Sequence, residues 1–257
     1  MILGSNPNNN TNQRNKTMKT IIVKCTLNHE AAGMTPGNPD THAKFLEFRK
    51  TKIKKMTADI EEHMEEEKKA IKLRLEQQKA EQMEDGISVF PCDPATGKPA
   101  FTAKQMCGFF KDAILALKET KVKPFDNFKK QPRQWVDRHV FVTPRWIPIE
   151  IPEGAEMGIY ERPITIDAFP KTITTIKVSE TVPAGSVIKF AIQLNDEDDE
   201  KYILKCLEYG WKHGFGQDRN GSWLGTFNFE VYDQKKKKWV AHESEFEQEA
   251  AVVLPEG

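Results

Sequence analysis

The sequence predicts an α+β protein, with two helices lying on one face of an antiparallel sheet and a long charged helical insertion. Three observations carry this. A β-branched segment opens the folded part, two amphipathic helical segments follow at a distance, and extended stretches fill the space between and after them.

The first strand is 19-KTIIVKCTLN-28, where Ile22, Lys24 and Thr26 alternate with Val23, Cys25 and Leu27. The next segment, HEAAGMTPGNPDTH, is rich in Gly, Pro, Asn and Asp and reads as a loop. Residues 43–84 contain no Gly or Pro. Ile53, Met56, Ile60, Met64, Ile71 and Leu75 form a narrow stripe near heptad spacing. From Lys44 to Asp85 there are 11 basic and 11 acidic residues, with Lys50, Lys52, Lys54 and Lys55 leading and Glu61, Glu62, Glu65, Glu66 and Glu67 following. This is a long helix, or a helical hairpin bent near residue 69, projecting from the body. It is either a solvated helix with one buried stripe or an arm that meets another subunit.

Residues 87–119 read as strand, turn and helix. Asp93-Pro94-Ala95-Thr96-Gly97 is turn chemistry. Thr102 suits an N-cap, with Gln105 three residues on as in a capping box. Met106, Phe109, Phe110, Ala113, Ile114 and Leu117 make a broad apolar face that must pack on a sheet. Gly108 inside this helix costs about 1 kcal/mol against alanine, which predicts close approach to a neighbouring backbone.

A basic, aromatic connection, KPFDNFKKQPRQW, leads to the extended stretches HVFVTPRWIPIEI, ERPITIDAFP, TITTIKVSETV and VIKFAIQL. Pro183–Ser186 reads as a hairpin turn between the last two. Asn195-Asp196-Glu197-Asp198-Asp199 supplies an N-cap and acids where the helix dipole favours them. The helix that follows turns Ile203, Leu204, Leu207 and Trp211 inward. A glycine-rich segment, the strand TFNFEVYD, a lysine turn and an acidic tail close the chain. Without the insertion the order is βαββαβ, the ferredoxin-like or RRM-like split. The expected organisation is a disordered polar tail (1–18), a core (19–42 and 86–242), a helical arm (43–85) and an acidic tail (243–257).

Composition excludes several function classes. The 257 residues hold 38 basic and 38 acidic side chains, so any anion site is local rather than a bulk property. No apolar run reaches 18 residues, which argues against a membrane span. The polar start lacks the apolar stretch of a signal peptide, and Met18 offers a second start. A cytoplasmic protein is expected. Cys25, Cys92, Cys107 and Cys206 are far apart and no Cys/His cluster forms, so neither zinc nor any other cofactor is expected and the thiols read as reduced.

The segment 209-YGWKHGFGQDRNGSWLGTFNFEVYD-233 sets the functional question. Gly210, Gly214, Gly216, Gly221 and Gly225 fall within sixteen positions, between a helix and a strand. Glycine lets the chain adopt positive φ and lie close to another backbone. Grouped backbone N–H donors in such a loop suit phosphate. The pattern is neither a Walker loop nor a dinucleotide fingerprint, because it follows a helix and opens a strand.

This glycine loop resembles that of the RAMP superfamily, the repeat-associated proteins that hold guide RNA in CRISPR effector complexes, and in particular their backbone-forming subunits. DPATGKPAFTAKQMCGFFKDAI is similar to the family's turn, proline and helix with basic residues. VPAGSVIKFAIQL is similar to the strand before its second helix. The resemblance covers 87–118 and 180–232, and more loosely 19–43. Lys212 and Arg219 give the loop a thin basic complement, and 43–84 falls where the family has a variable insertion. A virus-encoded (phage) or stand-alone relative fits equally.

The resemblance implies single-stranded RNA running along the sheet and loop, with subunits assembling along it as a homo- or hetero-oligomer through residues 43–85. The RNA-binding set is then Gly210, Lys212, Gly214, Gly216, Arg219, Gly221 and Trp223, with Lys104 and Lys111 on the first helix. Trp211, Phe215 or Trp223 stack on bases. Each has a structural alternative: Trp211 as core, and Lys104 and Lys111 as the wet face of a helix. Some family members cut RNA with a His, others with an Asp after the first strand. His213, Asp40 and His29 are therefore the candidate catalytic groups of an alternative, metal-independent endoribonuclease. A further alternative for His213 is capping of helix carbonyls. A third reading keeps the fold as a viral structural or interaction protein without RNA.

Overall fold

The computed structural model describes residues 18–37, 87–168, 171–218, 222–242, 244 and 246. The expected arm over 43–85, and with it the oligomer contact assigned there, lies outside the described residues, as do Asp40, Arg219, Gly221 and most of the acidic tail.

Strand β1 (Lys19–Leu27) is the centre of the main sheet, and its alternation explains why. Ile21, Val23, Cys25 and Leu27 are buried, while Thr20, Ile22, Lys24 and Thr26 point to the other face. It pairs antiparallel with β10 (Val187–Leu194) on one side and β11 (Phe227–Asp233) on the other. Beyond β11 lies β12 (Lys238–His242). Beyond β10 lie β6 (Val140–Thr143) and β7 (Trp146–Glu150), and β7 in turn pairs with β5 (Ala100–Thr102). All these pairings are antiparallel.

Helix α1 (Ala103–Glu119) starts where the sequence places it. The Thr102 hydroxyl accepts from the Gln105 backbone N–H, and the Gln105 side chain accepts from the Thr102 N–H at 2.7 Å. Met106, Phe109, Phe110, Ala113, Ile114 and Leu117 are all buried, as their spacing requires. Each such burial is worth roughly 1.5–3 kcal/mol for the larger side chains. Helix α3 (Glu200–Tyr209) follows a short 3₁₀ turn whose Asp196 carboxylate accepts from the Asp198 N–H. It buries Ile203, Cys206 and Leu207, and Leu204 and Trp211 pack at its margin. Both helices share one core with the inward side chains of β1, β10 and β11. The observed architecture is thus α+β, with the order β12-β11-β1-β10-β7-β5 in its main sheet.

Four expectations need correction. The connection KPFDNFKKQPRQW contains helical structure that runs into the stretch expected to be extended from His139: Phe125–Asn127 is a 3₁₀ turn and α2 (Pro132–His139) packs on α1 and β6. Pro132 begins α2 at the position where its missing N–H costs nothing. The loop after β1 contains β2 (Ala31–Ala32) and β3 (Thr35–Pro36), which belong to a second sheet. That sheet also contains β4 (Ser88–Val89) and the long hairpin of β8 (Gly158–Ala168) and β9 (Lys171–Val182). Pro183–Ser186 is therefore not a hairpin between paired strands. The Ser186 N–H donates to the Pro183 carbonyl, and the turn carries the chain from β9 in one sheet to β10 in the other.

Gly108 is the fourth. A Cβ there meets nothing within 4 Å, so no backbone approaches it. Gly108→Ala is expected to stabilise the protein by about 0.5–1 kcal/mol through helix propensity and a smaller unfolded-state entropy. A thermal melt checks this, and a lower melting temperature would contradict the open space.

Candidate nucleic-acid interface

The glycines after α3 serve packing. Gly210, Gly214, Gly216 and Gly225 are all buried. A Cβ at Gly210 would sit 2.0 Å from the Phe227 ring, and one at Gly214 would sit 2.0 Å from the carbonyl carbon of Gly225. Gly216 has φ +89° and lies with its absent Cβ 2.6 Å from the Ala32 carbonyl oxygen. Gly225, at φ +67°, presses on the Phe215 carbonyl at 1.9 Å by the same measure. Only glycine permits this backbone-on-backbone contact.

The loop's amides are largely used inside the fold. The Phe215 N–H donates to the Gly225 carbonyl, Gln217 to Ala32, Gly225 to Glu30 and Phe227 to Gly210. Lys212 and His213 both donate to the Tyr209 carbonyl. The glycine loop is thus folded onto the end of β1 and onto α1, and it does not lie flat with open amides. Of the expected RNA-binding set, Gly210, Gly214 and Gly216 occupy buried packing positions. Gly216→Val disturbs the fold before it disturbs any ligand.

Phe215 drives the loop inward. It is 1% exposed, stacks on Phe227 at 4.1 Å and meets Phe109 edge-on at 4.9 Å. It is a core residue and does not offer its face to a base. His213 is also interior, at 8% exposure, stacked on Tyr209 at 5.3 Å and near Phe109. A general acid–base group must reach the reacting proton, and His213 lies among aromatic rings. Lys111 is bound to Asp137 of α2, so its charge is offset on the α1–α2 face. Trp211 is half-buried and packs on the core.

A surface patch remains at the end of β1, around Trp223 and His29. Trp223 is 46% exposed and adopts φ +61°. For a bulky side chain this left-handed conformation is uncommon and costs about 1–3 kcal/mol. Its ring stands edge-on to Trp211 at 5.4 Å and tilted to His29 at 6.1 Å. The exposed His29 is fixed by a 2.8 Å contact from Nδ1 to the buried Thr226 hydroxyl. The Asn28 amide reaches the exposed Asn228 side chain at 3.4 Å. Lys212 is exposed beside the loop and lies over the Phe246 ring. Lys104 is exposed on the first turn of α1. The patch therefore has an aromatic plane with amide and imidazole edges.

Sequence reasoning missed the residue that fixes the loop to the second sheet. The Asp218 carboxylate, 8% exposed, takes Arg162 Nη2 at 2.7 Å and Lys177 Nζ at 3.4 Å, both from the β8–β9 hairpin. The acid stands alone in a Gly/Gln/Arg context, with no spacing that signals two partners more than forty residues away. Asp218→Ala removes one carboxylate and leaves two cations facing each other. The expected loss is about 1–3 kcal/mol, discounted because Arg162 is partly exposed. Hydrogen exchange should quicken across 210–226, and Asp218→Asn should recover part of the protection. Unchanged exchange would show that the ion pair does not hold the loop.

Among the described residues no group of three or more His, Cys, Asp or Glu side chains is arranged to hold a metal ion. The four cysteines are free, and burial pushes the Cys25, Cys107 and Cys206 thiols up, which makes them poor nucleophiles. Among the described residues no helix is long and apolar enough to cross a membrane.

No family model matches this chain, and no curated protein does. Among solved structures, the chain is similar to one in the cryo-EM structure of the Type III-B Cmr-beta bound to cognate target RNA. The TM-score is 0.41 and the identity 14%, over 88% of this chain and 61% of that one. The match spans less than two thirds of that chain, and a likeness so distant assigns no function.

Proposed function

We propose that this chain is a single-stranded RNA-binding protein with a ferredoxin-like core, a relative of the RAMP superfamily whose RNA contact is the patch around Trp223. The observation that carries the reading is Trp223 itself. A large aromatic ring is held exposed, at a left-handed φ, against Trp211 and His29. The left-handed φ costs stability, and strain of this kind concentrates at ligand sites. Base stacking on an exposed ring gives roughly 1–3 kcal/mol per base and tolerates any sequence. Lys212, Lys104 and Arg219 supply phosphate contacts. The exposed edges of Asn28, His29 and Asn228 meet the sugar or base edges. The order of strands around β1 and the sequence stretches that resemble the RAMP superfamily support the same reading. Assembly along RNA through residues 43–85 belongs to it too.

The burial of His213 takes one of the three candidate acid–base groups of the endoribonuclease alternative away from solvent, while the exposed His29 has Nδ1 engaged by the Thr226 hydroxyl; binding without cleavage is the reading proposed. A fluorescence-anisotropy titration with a labelled RNA of about 30 nucleotides tests it at low and physiological salt. The account expects salt-sensitive binding, with a log–log slope of about −0.7 per phosphate contact, and intact RNA afterwards. Absence of binding at low salt would overturn it.

A further inference from the structure

The far end of β11 carries a second basic and aromatic patch. Phe227 and Phe229 point into the core, so Asn228, Glu230 and Tyr232 share the opposite, open face of the sheet. Tyr232 stands directly across from Trp239 of β12, with ring centroids 5.3 Å apart. Lys24 of β1 reaches over the Trp239 ring at 5.5 Å. The turn between β11 and β12 then presents Lys235, Lys236, Lys237 and Lys238, all exposed.

That turn is built rather than loose. The Asp233 carboxylate accepts from the Lys235 N–H at 2.9 Å and the Lys236 N–H at 3.1 Å. These backbone bonds, that to Lys236 first, hold its carboxyl below the usual carboxylate range. Four adjacent like charges in a fixed turn repel one another, and Asp233 offsets only part of that. Lysine on an edge strand also guards against edge-to-edge pairing, but of the four only Lys238 lies in β12, the edge strand. Edge protection therefore does not explain the other three, nor an aromatic pair on the open face.

The face between this turn and Trp223 is electrically quiet. Glu230, on the open side of β11, is paired with Lys24 at 2.7 Å. Strand β11 runs seven residues from Phe227 to Asp233, so the two ends of the face lie roughly 20 Å apart. Grooves that track single strands hold about 4–16 nucleotides, a length that spans this gap.

We propose that Tyr232, Trp239 and the Lys235–Lys238 turn form a second RNA contact, so that one RNA strand runs along the open face of β11 from Trp223 to the β11–β12 turn. Bases stack at both ends and phosphates meet lysines at both ends. The proposal rests on the RNA reading of Trp223 and extends it to a second, separable site.

The test is anisotropy titration of the full chain with labelled oligouridylates of about 4 and about 15 nucleotides, sizes that bracket one and two contacts. Wild type is compared with Trp239→Ala, a variant carrying Lys235→Gln, Lys236→Gln, Lys237→Gln and Lys238→Gln, and Trp223→Gly. The longer RNA should bind wild type more tightly, and both patch variants should lower its affinity by about tenfold or more. The lysine variant should also lose about 0.7 of salt slope per phosphate contact removed. The short RNA should bind the lysine variant like wild type and lose affinity in Trp223→Gly. If the lysine variant and Trp239→Ala bind both lengths like wild type, the second contact is overturned while the Trp223 reading stands. If no RNA binds wild type at all, both fall. Displacement of the long RNA by polyglutamate as readily as by polyuridylate would make the turn a dock for acidic protein and overturn the RNA assignment.

Discussion

Gly214→Ala should cost this protein about 3 kcal/mol or more, beyond the usual range for an overpacked core. The added methyl carbon would stand 2.0 Å from the Gly225 carbonyl carbon and 2.2 Å from the Thr226 nitrogen. Both neighbours are backbone, so no rotamer change relieves the clash. Two segments of main chain must separate, and the Phe215 N–H bond to Gly225 goes with them. Phe215 then loses its stack on Phe227, at the centre of the aromatic core. Out of a typical total of about 5–15 kcal/mol this is a large fraction. For a chain of this size it corresponds to a fall of roughly 6–12 °C in melting temperature. Gly108→Ala, in open space, is the matched control with the opposite sign. Equal and small effects from both variants would mean that the loop does not pack as described.

Trp223→Gly should separate function from stability. The ring is half-exposed, and glycine adopts φ +61° without strain. Relief of the left-handed conformation, worth about 1–2 kcal/mol, offsets the lost contact with Trp211. The variant should therefore melt no lower than wild type. Its RNA affinity should fall about 5- to 150-fold, the equivalent of one stacked base. A variant that melts lower and binds RNA normally would make Trp223 a packing residue.

Periodicity made much of the main sheet legible. The alternation in β1 and the 3–4 spacing in α1 each leave one set of side chains that must be buried, and Thr102 with Gln105 marks the start of α1 unambiguously. The second sheet was legible only in part: the stretches that form β4, β8 and β9 read as extended, but β2 and β3 are two residues long and no period can be read in two residues. Helix α2 hid behind lysines, prolines and aromatic residues that also suit a loop.

The candidate site divides the same way. The glycines stood out in the sequence, but a residue without a side chain has no pattern that tells a buried backbone contact from an exposed anion cradle. Pairs such as Gly214 with Gly225 are contacts of tertiary structure alone. The i to i+4 spacing of Tyr209 and His213 allowed their rings to meet, but nothing in it told that His213 is buried. Asp218 carried no sign, because its partners Arg162 and Lys177 come from a distant hairpin. Trp223 stood out as a large aromatic residue among glycines, and the structure holds it half-exposed.

The most direct measurement of the RNA contact is photocrosslinking of a 4-thiouridine-substituted RNA to the full chain, with the attached peptides mapped by mass spectrometry. The account predicts crosslinks in the peptides that carry Trp223, Lys212 or His29, and their loss in Trp223→Gly. Crosslinks confined to the helical side, on α1 and α2 around Lys111 and Asp137, would contradict it.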